Sequence, residues 1–293
     1  NKQFCQYNLI IYTFLTLKYY ISNQFSLEGK VVVITGAAGL LGEQHARAVA
    51  EAGGTPVLLD IQNDQVFELA NKLANEFSVP SVGYRVDITD ESTVADNVQT
   101  LLNRFKNIDA LVNNAANNPK IEIQDEKNFS RLEHFPLKLW NEDISVGLTG
   151  AFLCTKYYGT AISKNPKGGV IINISSDLGL IAPDQRLYRQ TGLPDDQQPV
   201  KPVSYSVVKT GLIGLTRYIS TYWPGVVRCN ALCPGGVEAG QNKGFLQEVA
   251  KRIPLGRLAT SDDYKGAIVF LLSDASAYLN GTVIPMDGGR SVW

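Results

Sequence analysis

The stretch VVVITGAAGLLG, residues 31–42, joins two sequence patterns at one point. Its first five residues are β-branched, which predicts a buried strand, and glycines follow at Gly36, Gly39 and Gly42. The next segment, residues 43–53, carries small apolar residues at helical spacing. The stretch therefore predicts a strand, a tight turn and a helix in direct succession.

The glycine turn, residues 36–42, has the properties that a dinucleotide pyrophosphate requires. Glycine permits both the tight turn and a close approach of the backbone to the phosphates. The free N–H groups and the dipole of the helix that follows favour the anion. We therefore predict a dinucleotide-binding site here. The alternative is a tight strand–helix connection that binds no ligand.

An acidic residue ends the second apolar run, at Asp60. A carboxylate at this point accepts hydrogen bonds from both ribose hydroxyls of NAD and repels the additional phosphate of NADP. No arginine occurs at positions 37–41 or 61–63 to bind that phosphate. The sequence therefore predicts NAD as the cofactor. Asp87, at the end of the third run, is expected near the adenine.

Short apolar runs alternate with amphipathic segments along the rest of the chain. The clearest helical pattern runs from Val94 to Phe105, behind a start signal at Thr89 and Asp90. Strand–helix repetition of this kind predicts an α/β fold, a Rossmann-type doubly wound parallel sheet with helices on both faces. No linker interrupts it, so we predict a single domain over residues 28–293. The predicted strands are 31–35, 56–60, 81–87, 109–114, 168–175, 226–233 and 281–287.

Composition excludes several classes of function. The chain has 293 residues, 44% hydrophobic and 19% charged, with a formal net charge of −1, so neither nucleic acid nor an anionic membrane is an expected partner. Four scattered cysteines and two histidines indicate no disulfide framework and no metal site, and predict a cytoplasmic protein. Residues 1–27 are apolar and aromatic, but Lys18 interrupts them. We expect an extension outside the main fold, such as an interface arm, rather than a membrane anchor.

Tyr205 and Lys209 lie four residues apart in YSVVK, so both side chains share one face of a helix. In isolation the pair decides nothing. Together with the glycine turn, however, it belongs to an ordered set of motifs: NNAA (113–116), INISS (172–176), YSVVK (205–209), CPGG (233–236) and MDGG (286–289). With this set the chain resembles the classical short-chain dehydrogenase/reductase family over about residues 28–290.

The resemblance implies a role for each motif. Tyr205 would exchange a proton with the substrate oxygen, Lys209 would favour its phenolate and hold the nicotinamide ribose, and Ser176 would hydrogen-bond the same oxygen. Hydride would pass between the substrate carbon and the nicotinamide. Asn113 and the turn 234–236 would shape the backbone beside the cofactor. The implied cofactor-binding residues are Gly36, Gly39, Leu40, Leu41, Gly42, Asp60, Ile61, Asp87, Ile88, Asn114, Ala115, Ala116, Tyr205, Lys209, Pro234, Gly235 and Val237.

Two residues depart from the family pattern. Leu40 stands where the glycine turn of the family usually has its middle glycine. This form of the turn is more common in the extended branch of the family. Gly39 is still expected to let the phosphates approach the backbone. Gly147 stands where the family usually has an asparagine of the proton relay. A relay without that amide must run through backbone and water or be weaker, which leaves a catalytically impaired NAD-binding sensor or scaffold as an alternative.

Two long loops are expected at the mouth of the site. Segment 183–202 separates Ser176 from Tyr205 by more than is usual in the family, and segment 118–136 follows the fourth strand. Arginines in such loops suit an anionic group such as a phosphate, although they are equally explained as solubilising residues. The basic and aromatic candidates are Lys120, Arg131, His134, Arg186, Tyr188 and Arg189.

Longer phrases resemble one subgroup of the family: ISVGLTGAFLCTKYYG (144–159), the segment 201–223 and the final MDGGRSVW. These are the oxidoreductases of bacterial flagellin-modification gene clusters, which make nonulosonic acids. This resemblance implies an NAD-dependent dehydrogenase of a sugar phosphate or nucleotide sugar. Alternatives are reductases of a 3-oxoacyl thioester or a polyol. The family also implies a homo-oligomer, a tetramer or dimer.

Overall fold

The computed structural model describes residues 21–117 and 130–293, whose central sheet has seven parallel strands in the order β3-β2-β1-β4-β5-β6-β7. The strands are β1 (Val31–Thr35), β2 (Thr55–Asp60), β3 (Val82–Arg85), β4 (Ala110–Asn113), β5 (Gly169–Ile174), β6 (Val227–Pro234) and β7 (Val283–Met286). The helices are α1 (Leu40–Glu51), α2 (Asn63–Phe77), α3 (Glu91–Phe105), α4 (137–162), α5 (Val203–Tyr222), α6 (Lys243–Ala250) and α7 (Lys265–Leu272).

All seven predicted strands are present, and the Rossmann-type parallel sheet is confirmed. β1 pairs with β2 on one side and with β4 on the other, so the chain changes direction across the sheet at the β1–β4 boundary. Ligands bind at such a switch point, outside the carboxyl ends of the strands. β3 is shorter than expected, since it ends at Arg85, and Asp87 lies in the turn beyond it.

Alternate residues of β1 face opposite sides of the sheet, and each side has its own core. Val32 and Ile34 pack with α1, α2 and α7, whereas Val31 and Val33 pack with α3, α4 and the end of α5. Every residue of β1 is buried, which explains the unbroken β-branched run. Helices on both faces are thereby confirmed.

The start of α3 follows the predicted signal. Asp90 is the N-cap, and its side chain accepts hydrogen bonds from the backbone N–H groups of Ser92 and Thr93 at 2.9 and 3.5 Å. Val94, Val98 and Leu101 form the buried stripe against the sheet. The helical spacing and the cap together therefore set both the position and the face of this helix.

Helix α4 is continuous but not uniformly α-helical. Its segments are α (Leu137–Ile144), π (Ser145–Thr149), α (Gly150–Cys154), π (Thr155–Gly159) and α (Thr160–Ile162). π segments each accommodate an extra residue in a turn and occur frequently at functional sites. The first of these contains Gly147, the position of the departure noted in the sequence.

A chain of buried amides crosses the centre of the sheet. The Asn113 Nδ2 donates to the Asn173 Oδ1 at 2.8 Å and to the Thr155 Oγ1 at 3.1 Å, and the Asn173 Nδ2 donates to the Thr216 Oγ1 at 2.8 Å. These bonds join β4 and β5 to α4 and α5 immediately below the site. Asn113 is thus a structural residue whose side chain points away from the cleft described below.

The N-terminal end of the described chain is part of the packing. Leu27 is fully buried in the core beside α1, and the Phe25 ring lies 6.3 Å from the Phe270 ring, centroid to centroid. Residues 1–20, which make up most of the predicted extension, lie outside the described residues. Within residues 21–117 and 130–293, no helix is long and apolar enough to cross a membrane.

We expect Asn173→Ala to lower the free energy of unfolding by about 1–3 kcal/mol, because it removes one hydrogen-bond partner each from the buried Asn113 amide and the buried Thr216 hydroxyl. Denaturant titration at unchanged m-value measures the change. Asn103→Ala, at an exposed position of α3, is the matched control and should stay within about 0.5 kcal/mol. Equal stability of the two variants would contradict the role of the amide chain.

Candidate active site

A cleft of about 1440 Å³ opens at the carboxyl ends of the strands, beside the β1–β4 switch point. This volume exceeds the roughly 300–1,000 Å³ of a site for one drug-sized ligand, so it has room for a dinucleotide and a second molecule. Of the residues predicted to bind cofactor, all but Gly42 line the cleft, and so do Ser176, Tyr205 and Lys209.

The glycine turn closes on itself and on β4. Gly36 has φ +61, and a Cβ there would lie 2.8 Å from the Ala115 Cα. A Cβ on Gly42 would lie 2.1 Å from the Gly36 oxygen, so Gly42 shapes the turn from behind the cleft. Leu40, in place of the usual glycine, is 52% exposed and projects into the cleft. The spacing of this turn is therefore accommodated without strain at Leu40.

The end of β4 is tied to the same turn. The Asn114 Nδ2 donates to the Thr35 and Gly36 oxygens at 2.9 and 3.1 Å. The Thr35 Oγ1 accepts from the backbone N–H groups of Asn114 and Ala115 at 3.0 and 3.1 Å. These four bonds hold the two strand ends that form the floor of the cleft.

Asp60 presents its carboxylate at one end of the cleft. Its Oδ2 accepts from the Ala38 N–H at 3.0 Å and its Oδ1 from the Gln62 N–H at 3.1 Å. Arg85 stands opposite Asp60 in the register of β2 and β3, and its Nε donates to the Ile61 oxygen at 3.4 Å. Sequence reasoning missed this cation because it searched only positions adjacent in the chain. The strand pairing was the signal that could have found it.

Ser176, Tyr205 and Lys209 meet at the other end. Ser176 follows β5, and its Oγ donates to the Asp177 Oδ1 at 2.8 Å and accepts from the Leu178 N–H at 3.2 Å. Tyr205 and Lys209 lie one turn apart on α5, and the Lys209 Nζ donates to the Ile174 oxygen at 2.8 Å. The ammonium group lies 5.7 Å from the centroid of the Tyr205 ring.

Burial sets the electrostatics at this end. It raises the pKa of Tyr205, an effect that the hydrogen bond with Ser176 opposes. Burial also lowers the pKa of Lys209 to about 8, and the positive charge of Lys201 contributes in the same direction. A half-buried phenol therefore stands beside the buried ammonium group of Lys209 and the half-buried one of Lys201, an arrangement in which charge on the phenol oxygen is costly unless a cation balances it.

Two features near Tyr205 were not identified from the sequence. The Lys201 Nζ lies 3.9 Å from the centroid of the Tyr205 ring. Arg290 pairs with Asp177 at 2.7 Å in a buried ion pair that joins the MDGG motif to the residue after Ser176. Neither is adjacent in sequence to the residues that it contacts, so only the fold could bring them together.

Part of the 183–202 segment lines the cleft. Arg186, Tyr188 and Arg189 line it. Arg186 forms a bidentate pair with Asp184 at 2.8 and 2.9 Å, and Arg189 pairs with Asp195.

Of the other predicted loop, residues 118–136, only 130–136 lie within the described residues. The Arg131 Nη1 donates to the backbone carbonyl oxygen of Asp195 at 3.0 Å, which links residues 130–136 to the 183–202 segment. Neither Arg131 nor His134 lines the cleft, and Lys120 lies outside the described residues.

The space that an asparagine at Gly147 would need is filled. A Cβ at this position would lie 2.4 Å from the Val208 Cγ1 and 3.2 Å from its Cγ2. Val208 is buried on α5, directly before Lys209. The missing side chain at position 147 is therefore matched by a bulky one at position 208.

We expect Gly147→Asn alone to lower the free energy of unfolding by about 1–3 kcal/mol, because valine is stiff and cannot move out of the way. The double variant Gly147→Asn with Val208→Ser should recover most of that loss. Denaturant titrations of both single variants and the double variant form a double-mutant cycle. Additive effects would contradict the direct steric pairing of the two positions.

Comparison with known proteins agrees with this geometry. The short chain dehydrogenase model matches residues 30–188, and the enoyl-(acyl carrier protein) reductase model matches residues 196–291. The chain is 30% identical to 3-oxoacyl-(acyl-carrier-protein) reductase of Aquifex aeolicus, over 91% of this chain and 99% of that protein. It is 31% identical to NADP-dependent mannitol dehydrogenase of Hypocrea jecorina, over 90% and 93% of the two chains.

A solved structure gives the same result. The crystal structure of gluconate 5-dehydrogenase from Burkholderia cenocepacia, in complex with NADP and tartrate, matches with a TM-score of 0.80 at 25% identity, over 93% of this chain and 99% of that one. The chain belongs to the short-chain dehydrogenase family of oxidoreductases, which act on alcohols and ketones with a nicotinamide cofactor.

Proposed function

We propose that this protein is an NAD-dependent dehydrogenase that interconverts a secondary alcohol and a ketone on a sugar phosphate or nucleotide sugar. The observation that carries the proposal is one cleft with Asp60 at one end and Ser176, Tyr205 and Lys209 at the other. The chain shares sequence phrases with the oxidoreductases of bacterial flagellin-modification gene clusters, and on that ground we propose that the reaction belongs to the synthesis of flagellin glycans or other surface glycans.

Each of Ser176, Tyr205 and Lys209 has a different role at the substrate oxygen. During oxidation the Tyr205 oxygen accepts the hydroxyl proton, and the Ser176 hydroxyl hydrogen-bonds the same oxygen as its charge changes. Lys209 supplies positive charge that favours the phenolate. NAD, when bound, accepts the hydride from the substrate carbon.

The cleft fits a dinucleotide at its other end. The cradle at Gly36 has no room for a side chain, and Gly39 is the N-cap of a helix of 12 residues whose N-terminus favours phosphate. The Asp60 carboxylate, fixed by two backbone N–H groups, is placed to accept ribose hydroxyls. Charge repulsion from it favours NAD over NADP, although mannitol dehydrogenase of Hypocrea jecorina is named as NADP-dependent.

The rim of the cleft supports a polar, anionic substrate. Arg186 and Arg189 are 77% and 53% exposed. Arg189 pairs with the exposed Asp195, and Arg186 pairs with Asp184, which also pairs with Arg252. Exposed ion pairs contribute little stability, so an incoming phosphate can take the place of either acid at small cost. The relatives named for mannitol and gluconate act on hydroxylated compounds, which is consistent with a carbohydrate substrate.

A 3-oxoacyl thioester or a simple polyol is the alternative substrate, and the 30% identical relative from Aquifex aeolicus favours the former. Apolar residues do lie at the mouth: Leu187, Val249 and Leu258 are each at most 9% exposed. They pack against one another and close the 183–202 segment onto α6. This packing leaves them little free surface for an acyl chain.

A catalytically impaired sensor remains the alternative of another class, and Gly147 is its support. The Val208 side chain occupies the space of the missing asparagine, which indicates a rebuilt site, while Ser176, Tyr205 and Lys209 are all retained. We therefore favour the enzyme.

We also propose a cytoplasmic homo-oligomer, a tetramer or dimer. Phe152 on α4 and Tyr218 and Tyr222 on α5 are more than half exposed, and aromatic residues are enriched at protein–protein interfaces. Three cysteines among the described residues are buried free thiols, as suits a reducing compartment.

We expect Tyr205→Phe to lower turnover by at least about 10³-fold, because the substrate proton has no acceptor, with NAD affinity nearly unchanged. The measurement is NADH formation with NAD and a panel of hexose phosphates, UDP- and GDP-sugars, polyols and 3-hydroxyacyl thioesters. Turnover confined to phosphorylated or nucleotide sugars supports the proposal. Turnover of thioesters alone would refute the substrate class, and tight NAD binding without turnover of any compound would favour the sensor.

We expect Asp60→Ala to reduce the preference for NAD over NADP by about tenfold or more, because the repulsion is removed while Arg85 remains to attract the phosphate. The ratio of kcat/KM with the two cofactors measures this. Adding Arg85→Ala should reverse the gain with NADP, and Asp96→Ala, on exposed α3, is the charge-matched control. An unchanged ratio in Asp60→Ala would mean that the ribose is held elsewhere.

A further inference from the structure

Lys201 contacts the face of the Tyr205 ring. Its Nζ lies 3.9 Å from the ring centroid, compared with 5.7 Å for Lys209. The residue comes two positions before α5, and its backbone N–H donates to the Gln185 Oε1 at 2.8 Å. It also lines the cleft. The 183–202 segment therefore delivers a second lysine to the tyrosine that carries the proposed chemistry.

The surroundings of Lys201 bear on its charge. Burial lowers its pKa to about 8, while the nearby carboxylates of Asp177 and Asp143 favour the protonated form. Asp177 is paired with Arg290, and Asp143 accepts a hydrogen bond from the Ser204 hydroxyl. Within residues 21–117 and 130–293, Lys209 and Tyr205 also lie close to it. Below about pH 8, Lys201 thus presents a positive charge to the tyrosine.

A cation on the face of a phenol is attracted to the ring, and the attraction grows when the oxygen loses its proton and the ring becomes negatively charged. The same contact therefore favours the phenolate over the phenol. Burial of Tyr205 acts in the opposite direction. A second cation is one way to offset the cost of that burial in a site that has glycine at position 147.

We propose that Lys201 is a positioning residue that acts through Tyr205: its ammonium group stabilises the negative charge on the phenol oxygen before that oxygen accepts the substrate proton. Lys201 keeps its own protons throughout, and only the proton between substrate and Tyr205 moves. This inference rests on the proposed role of Tyr205, and it adds to the motif a residue of the long segment between Ser176 and Tyr205.

The sign of the pH effect follows from the charge. Alcohol oxidation requires the phenolate, so kcat/KM falls as the pH drops below the pKa of Tyr205. Because Lys201 lowers that pKa, its removal raises it, and activity is lost at a higher pH. We expect Lys201→Met and Lys201→Gln to move the acidic limb of the kcat/KM profile upward by about 1–2 pH units, as an opposite charge at this distance does.

The variants are measured against two references. Lys201→Arg retains the cation and should keep most of the wild-type profile. Lys156→Met is the matched control, since Lys156 lies 5.1 Å from the Tyr157 ring centroid on the outer face of α4, and it should leave the profile unchanged. At neutral pH, Lys201→Met should lose about tenfold in kcat with little change in KM. A raised KM with an unmoved profile would instead make Lys201 a substrate anchor and overturn the proposal.

A second readout does not depend on turnover. Near-ultraviolet titration of the phenolate in the NAD complex, taken as the difference between wild type and Tyr205→Phe, gives the pKa of Tyr205 directly. The same difference in the Lys201→Gln background should show a pKa higher by about 1–2 units. An unshifted pKa would refute the role of Lys201 even if the enzyme is active. A shifted pKa in a protein that turns over no substrate would support it while refuting the proposed function.

Discussion

The backbone of Gly36 lies against the backbone of Ala115 more closely than any side chain would allow. This contact brings the end of β1 and the end of β4 together at the point where the sheet changes direction, and the Thr35 hydroxyl and the Asn114 amide hold it. The rest of the site depends on it, because the helix N-terminus, the Asp60 carboxylate and the loop after β4 are all positioned relative to these two strand ends.

The two ends of the cleft differ in how their charged groups are stabilised. At the Asp60 end, a carboxylate fixed by backbone N–H groups stands in partial contact with solvent, so it selects between ligands by charge at modest cost. At the Tyr205 end the groups are buried or half-buried, and the cationic and acidic side chains come from the turn after β5, the 183–202 segment, α5 and the turn after β7. Such a cluster is stable only if its charges balance, which accounts for the buried pairing of Arg290 with Asp177.

The sequence was sufficient to predict those parts of the protein whose structure is determined by residues close together in the chain. The seven strands followed from short β-branched runs, and α3 followed from its apolar stripe and from Asp90, because a strand or a capped helix is encoded within a few residues. The glycine turn and Asp60 could be placed for the same reason. Lys201 and Arg85 could not, since each meets its partner through the packing of a loop or the register of neighbouring strands. The π segments of α4 also have no simple local signal.

The Val208 side chain occupies the space that a side chain at position 147 would need, and this limits which residues the two positions can hold together. On this backbone a side chain at position 147 fits without strain only if position 208 carries a smaller residue, because a Cβ at position 147 would lie 2.4 Å from the Val208 Cγ1. A valine added beside an existing side chain would clash, and a side chain lost without the valine would leave a cavity, so either change made alone destabilises this part of the site. The two positions are therefore expected to vary as a pair, and the residue at position 147 can be interpreted only together with the residue at position 208.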